Sequence, residues 1–204
     1  VIQLYTWKTP NGRKVSIMLE EIGLPYTVRP VDFGKREQFA PEFLAISPNN
    51  KIPAIVDEEG PGGKPMALFE SGAILLYLAE KSGRLLPRDL RSRHVAVQWL
   101  MFQMGGVGPM FGQAHYFLRA DNPAAAFAVE RFLEEVRRLY RVMEGRLAQA
   151  PYFAGEYSIA DVAVYPWVSR HEMHKVQLEE FPNVKRWYDA LSARAAVQKG
   201  MAIP

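Results

Sequence analysis

The chain has 204 residues, enough to bury a substantial core as one domain or two modest ones. Hydrophobic residues make up 49% and charged residues 23%, which excludes a disordered chain, and no apolar run approaches the roughly eighteen residues of a membrane-spanning helix. The net charge is only +3 and cysteine is absent, which excludes disulfides, thiolate metal sites and a cysteine nucleophile and suits a reducing, cytoplasmic compartment.

Val1 to Tyr5 is too short and too polar-flanked for a signal peptide, and a first strand is expected over Ile2 to Thr6. Asn11 to Ile22 reads as a helix with Val15, Met18, Leu19 and Ile22 on one face, stopped by Gly23. The β-branched and aromatic run Tyr26 to Val31 predicts a second strand, and a polar helix is expected over Gln38 to Ile46. Ala54 to Val56 and Met66 to Phe69 flank a turn rich in glycine and proline, so they form a hairpin. Glu70 to Lys81 closes this half as a helix. The order β-α-β-α-β-β-α, a right-handed crossover followed by a hairpin, predicts a thioredoxin-like α/β domain with a mixed four-stranded sheet over residues 1–85.

Pro87 interrupts the pattern, and residues 86–90 read as a linker. Residues 91–204 show no strand and form an all-α domain. Its expected helices run from Ser92 to Phe117, Ala124 to Leu147, Ser158 to about Met173 and Val184 to Ala193. The first 85 residues carry ten basic and ten acidic side chains, and the remainder fifteen and twelve. That excess is spread over helices as a solvated face, with no stripe for nucleic acid.

Three segments carry candidate chemistry. Thr9-Pro10-Asn11-Gly12 stands where the first strand meets the first helix, and a helix head favours an anion. Thr9 and Asn11 do not ionise near neutrality, so they can donate to a thiolate but cannot act as a base. Lowering a thiol pKa from ~8.5 by about two units takes roughly 2.7 kcal/mol, within reach of one charge-assisted hydrogen bond plus a helix head. In Ser47 to Ile55, Pro53 opens a strand, and a cis Ile52–Pro53 bond turns the Ile52 backbone outward to pair with an extended peptide. In Phe69-Glu70-Ser71-Gly72, Ser71 can hold a carboxylate and Glu70 an ammonium. Each has a plain reading too: Asn11 as an N-cap, Pro53 in an ordinary turn, Glu70 and Ser71 as a capped helix start. Together, thiolate donors, a peptide edge and a zwitterion clamp describe glutathione.

These segments, with Phe69 to Leu78, Gly105 to Met110 and Tyr157 to Asp161, resemble a glutathione transferase across the whole chain. More narrowly, the resemblance is to the bacterial nu class of disulfide-bond reductases, related to the fungal prion-forming nitrogen regulator. It implies that Thr9 and Asn11 face the glutathione sulfur, that Gln38, Lys51, Ile52 and Pro53 bind its peptide, and that Glu70 and Ser71 hold the γ-glutamyl end. It further implies Arg131 near the ligand and a homodimer. The implied reaction is thiol–disulfide exchange by glutathione thiolate on a small disulfide. Conjugation of glutathione to a small electrophile and a non-enzymatic glutathione-binding regulator are the alternatives.

Other features read as structural. Tyr5 lies mid-strand and is not the thiol donor. Gly105, Gly106 and Gly108 follow no strand, so close helix approach and a kink before Pro109 explain them better than a phosphate loop. His171 and His174 read as a solvated helix face rather than a metal site. Ser158 to Asp161 has the form of a capping box, with Tyr157 placed to pack on Val162. Trp99, Phe102, Phe111, Tyr116 and Phe117 read mainly as core, with some of them candidates to line a second, apolar pocket.

Overall fold

A computed structural model describes residues 1–120 and 122–204. The chain divides into two compact units, Val1–Leu86 with Arg194–Pro204, and Pro87–Ala193. The helical domain read from the sequence as 91–204 therefore loses its last segment to the first unit.

In the first unit, β1 (Ile2–Thr6) pairs in parallel with β2 (Tyr26–Pro30) and antiparallel with β3 (Ala54–Asp57), which pairs antiparallel with β4 (Met66–Phe69). The sheet order β2-β1-β3-β4 is the mixed four-stranded sheet of a thioredoxin-like domain. Two helices, α1 (Pro10–Ile22) and α3 (Ser71–Ser82), pack against each other, and α1 ends on Gly23 in the left-handed conformation. The helix expected over Gln38 to Ile46 is broken into a 3-10 turn, Glu37–Phe39, and one short turn, α2 (Pro41–Leu44). Pro41 is the cause. A residue before proline is driven out of the helical region, and Ala40 is extended at φ −63°, ψ 136°.

The last helix, α9 (Ala195–Ala202), lies on α1. Gly200 allows that approach, because a Cβ there would sit 2.6 Å from the Ile17 nitrogen. Ser16 Oγ donates to the Gly200 carbonyl at 2.7 Å, and the Arg194 guanidinium grips Glu21 through two bonds of 2.7 and 2.8 Å.

The second unit is helical: α4 (Leu90–Phe102), α5 (Gly108–Arg119), α6 (Ala126–Leu147), α7 (Ile159–Val168) and α8 (Pro182–Ser192). The helix expected from Ser92 to Phe117, with a kink before Pro109, is interrupted by a π turn at Gln103–Val107. Pro109 has no N–H for the carbonyl four residues back, and the turn widens so that the Gly108 N–H reaches Gln103 O instead. Gly108 also faces Gln103 Nε2, which a Cβ would approach to 2.8 Å.

The capping box at Ser158 is present. Asp161 Oδ2 accepts from the Ser158 N–H at 2.9 Å, and Ser158 Oγ accepts from the Ala160 N–H at 3.3 Å. Asp161 does more than cap. Its carboxylate is fully buried and also accepts from Phe153 N–H (3.1 Å) and Trp187 Nε1–H (2.8 Å), which ties the loop before α7 to α8. The Tyr157 ring lies against Tyr152 at 5.6 Å.

Two expectations fail in this unit. His171–His174 is a separate 3-10 turn, and His174 is buried rather than solvated, its ring 4.7 Å from Phe111 and 5.8 Å from His115. Tyr116, expected in the core, is 67% exposed, whereas Phe111 is buried and stacks on Tyr140 at 5.3 Å. Among the described residues no three His, Cys, Asp or Glu are arranged to hold a metal ion, and no helix is long and apolar enough to cross a membrane.

Removing Asp161 strands several buried donors, so Asp161→Ala should destabilise by roughly 3 kcal/mol and Ser158→Ala by about 1 kcal/mol in denaturant titration, both with unchanged glutathione affinity. Equal small losses would show that the carboxylate is only a cap. His174 titrates at about 4, held down first by burial and then by the charges of His115, Arg170 and His171. A histidine with a depressed folded pKa makes the unfolded state the better proton acceptor between pH 6.5 and 4. Stability should therefore fall by roughly 2–3 kcal/mol as the pH drops through that window. His174→Phe should flatten this acid limb, and an unchanged limb would exclude His174 as its source.

Candidate functional site

The candidate residues of the first unit meet at one end of its sheet because of strand register. Thr6, the last residue of β1, stands opposite Pro30, the last of β2, and the Val31 N–H continues that pairing onto Thr6 O at 2.9 Å. Ala54, the first residue of β3, pairs with Phe69, the last of β4, and with Tyr5. Pro53 and Glu70 are thus the next residues across the hairpin, at the end where the loop to α1 leaves β1. Beneath them Val31, Phe43, Ile52 and Ala54 form a buried cluster, with Tyr5, Trp7 and Ile46 packed against it.

Thr9 caps α1. Its backbone is extended (φ −129°, ψ 157°) and its Oγ1 accepts the Gly12 N–H at 3.1 Å. A hydroxyl that accepts this bond keeps its own proton for a further acceptor. The reading of Asn11 as the N-cap is overturned, since Pro10 and Asn11 are the first two helical residues, and Asn11 is half-buried in the first turn. Gly12 is required by space: a Cβ would overlap Thr6 Oγ1 and come within 2.6 Å of the Trp7 carbonyl. The first turn of α1 contains no acidic residue to compete with an anion.

The Ile52–Pro53 bond is cis, both residues are buried, and Lys51 is exposed, its carbonyl accepting from Ser47 Oγ at 2.8 Å. Gln38 lies in the 3-10 turn Glu37–Phe39. Its buried Oε1 has no hydrogen-bond partner among the described residues. Glu70 is exposed at φ 70°, ψ 111°, a conformation closed to most side chains that costs of order 1–3 kcal/mol, and such strain concentrates at ligand clamps. Ser71 opens α3, is 4% exposed, and accepts from the Lys14 ammonium at 3.1 Å.

Lys14 was not singled out from the sequence, although a signal existed. It stands one helical turn before Met18 and two before Ile22, on the face that the apolar spacing marks as buried. Tyr5 packs on Phe43 at 6.1 Å and its hydroxyl turns to Gln3 Oε1 at 3.4 Å, along its own strand. Arg131 belongs to the second unit. It is exposed on α6, in a cleft with Met110, Arg138 and Arg141, and Arg138 is engaged by Glu135 at 2.7 and 2.8 Å.

With this geometry in place, comparison with known proteins decides the family. The glutathione S-transferase N-terminal domain model matches residues 1–80, and the C-terminal domain model matches residues 109–195. The chain belongs to the glutathione transferase family. It is 49% identical to the disulfide-bond oxidoreductase YfcG of Escherichia coli strain K12, over 98% of this chain and 94% of that protein. A glutathione transferase family member from Pseudomonas fluorescens, crystallised with two glutathione bound, superposes with a TM-score of 0.94 at 49% identity, covering 100% of this chain and 93% of that one. A glutathione transferase from Pseudomonas putida, with one glutathione disulfide per subunit, gives 0.95 at 49% identity, covering 100% and 91%.

Within this glutathione transferase, Gly12→Ala is the direct test of the α1 head. It should displace Thr9, weaken glutathione binding by at least about tenfold in calorimetry and cost about 1–3 kcal/mol of stability. Full affinity in a folded Gly12→Ala protein would show that the thiol end of the ligand lies elsewhere.

Proposed function

We propose that this chain is a glutathione-dependent disulfide-bond oxidoreductase of the cytoplasm, acting as a homodimer on small disulfides. The reading assigns the glutathione sulfur to the head of α1, facing the Thr9 hydroxyl and the Asn11 amide. Gln38, Lys51, Ile52 and Pro53 receive the peptide, and Glu70 and Ser71 the γ-glutamyl zwitterion. Arg131 is assigned to the vicinity of the ligand by family resemblance alone.

The chemistry follows from what these groups cannot do. Neither Thr9 nor Asn11 can take a proton at neutral pH, so the thiol loses its proton to solvent and the protein stabilises the anion that remains. The thiolate attacks one sulfur of the substrate disulfide, its S–S bond breaks, and the departing sulfur leaves as a thiolate that picks up a proton from solvent. A second glutathione thiolate attacks the mixed disulfide, giving glutathione disulfide and the second reduced thiol. Two electrons pass from two glutathiones to the substrate.

The observation that carries the reading is a helix head capped by the non-ionising Thr9 hydroxyl, with no acid in its first turn, in a chain with no cysteine, so that every reacting sulfur comes from a ligand. The close relationship to a disulfide-bond oxidoreductase and to structures holding glutathione and glutathione disulfide supports it.

Turnover of a small neutral disulfide with glutathione should exceed conjugation to a generic aromatic electrophile. Asn11→Ala should lower disulfide turnover by about 10- to 100-fold in the folded protein, while Thr9→Ala adds a cap loss of about 1 kcal/mol. Conjugation without reductase activity would reassign the chain to electrophile transfer, and full reductase activity in both variants would remove these residues from the chemistry.

A further inference from the structure

Lys14 is a charged side chain buried in the first unit, where it bonds the head of α3. It is 1% exposed, in the first half of α1, and its Nζ lies 3.1 Å from the hydroxyl of Ser71, the residue that opens α3. An ammonium in such a place is costly unless negative charge stands near it. Burial pulls the Lys14 pKa down to about 7, and the opposing influence is the charge of Glu70.

We infer that Lys14 is a positioning cation for the glutathione-binding site, supplying from inside the fold the positive charge that holds a carboxylate at Ser71. This rests on the assignment of Glu70 and Ser71 to the γ-glutamyl end. An α-amino acid head group carries a carboxylate and an ammonium side by side. Seated between Lys14 and Glu70, it completes an alternating row of charges: ammonium, carboxylate, ammonium, carboxylate. The dipole of α3 adds in the same sense at its head. Lys14 never touches the ligand in this arrangement, because the Ser71 hydroxyl stands between them.

The consequence is linkage between proton and ligand. A carboxylate arriving at Ser71 favours the charged form of Lys14, so binding takes up a proton near neutral pH and affinity declines as the pH rises through Lys14's own pKa. Other charged groups stand on α1 and on the elements packed against it, some of them in ion pairs of their own. Along α1 stand Arg13, Glu20 and Glu21, the last paired with Arg194 at 2.7 Å. On α9 there is Lys199, and on the sheet Asp57, paired with Lys81 at 2.6 Å.

The test is calorimetric titration of S-methylglutathione, which has no thiol to titrate, into the intact protein from pH 6 to pH 8 in buffers of different ionisation heat. The wild type should take up a fraction of a proton on binding and lose about fivefold in affinity across the range. Lys14→Met should bind more weakly at pH 6, show no proton uptake and have a nearly flat profile. It should also melt no lower than the wild type, since it removes a buried charge. Ser71→Ala separates the two levels of the account. If it leaves affinity unchanged, the assignment of the γ-glutamyl end falls, and this inference with it. If Ser71→Ala weakens binding while Lys14→Met keeps the wild-type affinity and profile, the inference alone is overturned. Should Lys14→Met fail to fold, the wild type still decides: heats that do not depend on the buffer mean no proton is taken up, which also overturns it.

Discussion

One hydrogen bond organises the candidate site: the Gly12 N–H donating to Thr9 Oγ1 over 3.1 Å. It ends the loop after β1, starts α1, and fixes the hydroxyl so that its remaining proton has a single job left. The bond exists because residue 12 has no Cβ; any larger residue would drive into Thr6 and the Trp7 carbonyl. Helix start and donor orientation are therefore one constraint expressed two ways. The strand register then brings the other pieces, Pro53 and Glu70, to the same end of the sheet.

The first unit holds several charges inside, each tied to a specific partner. Glu21 is gripped by Arg194 from the chain terminus, Asp57 by Lys81 and Tyr77, and Lys14 by Ser71. Pairs of this kind contribute little net stability, because desolvation offsets most of the attraction, but they fix which elements meet. Glu21–Arg194 commits the last residues of the chain to α1, and Lys14–Ser71 sets the head of α3 against α1. Strain at Glu70 adds to the same picture, since a backbone at φ 70° persists only where its surroundings hold it.

Much of this was legible in the sequence. The strands, the hairpin and the cap motifs are local signals: alternation, a Gly/Pro turn, and Ser158 three residues before Asp161. The failures were non-local or depended on proline. Pro41 and Pro109 each act on the backbone behind them: Pro41 split a helix that apolar spacing alone had drawn as continuous, and the break before Pro109 is the kink that the glycines at 105, 106 and 108 had marked. α9 has few large apolar residues, and its place is set by Gly200 lying on Ile17, a contact between residues far apart in the chain. His174 is buried by Phe111 and His115 of a different helix, which its own neighbours in sequence could not reveal. Within the site, Thr9, Glu70 and Ser71 stood out because helix starts have sequence signatures. Arg131 had no such signature among the seven arginines between 119 and 170 and came from family resemblance alone.

The proposed chemistry needs a thiol made acidic by neutral donors and a helix head, and the direct measurement is the ionisation of that thiol in the complex. Ultraviolet difference titration near the thiolate absorption band, with glutathione bound at saturation, reads it without any substrate. The predicted midpoint lies about two pH units below the ~8.5 of the free thiol. A bound thiol that titrates as it does in water would contradict the central claim.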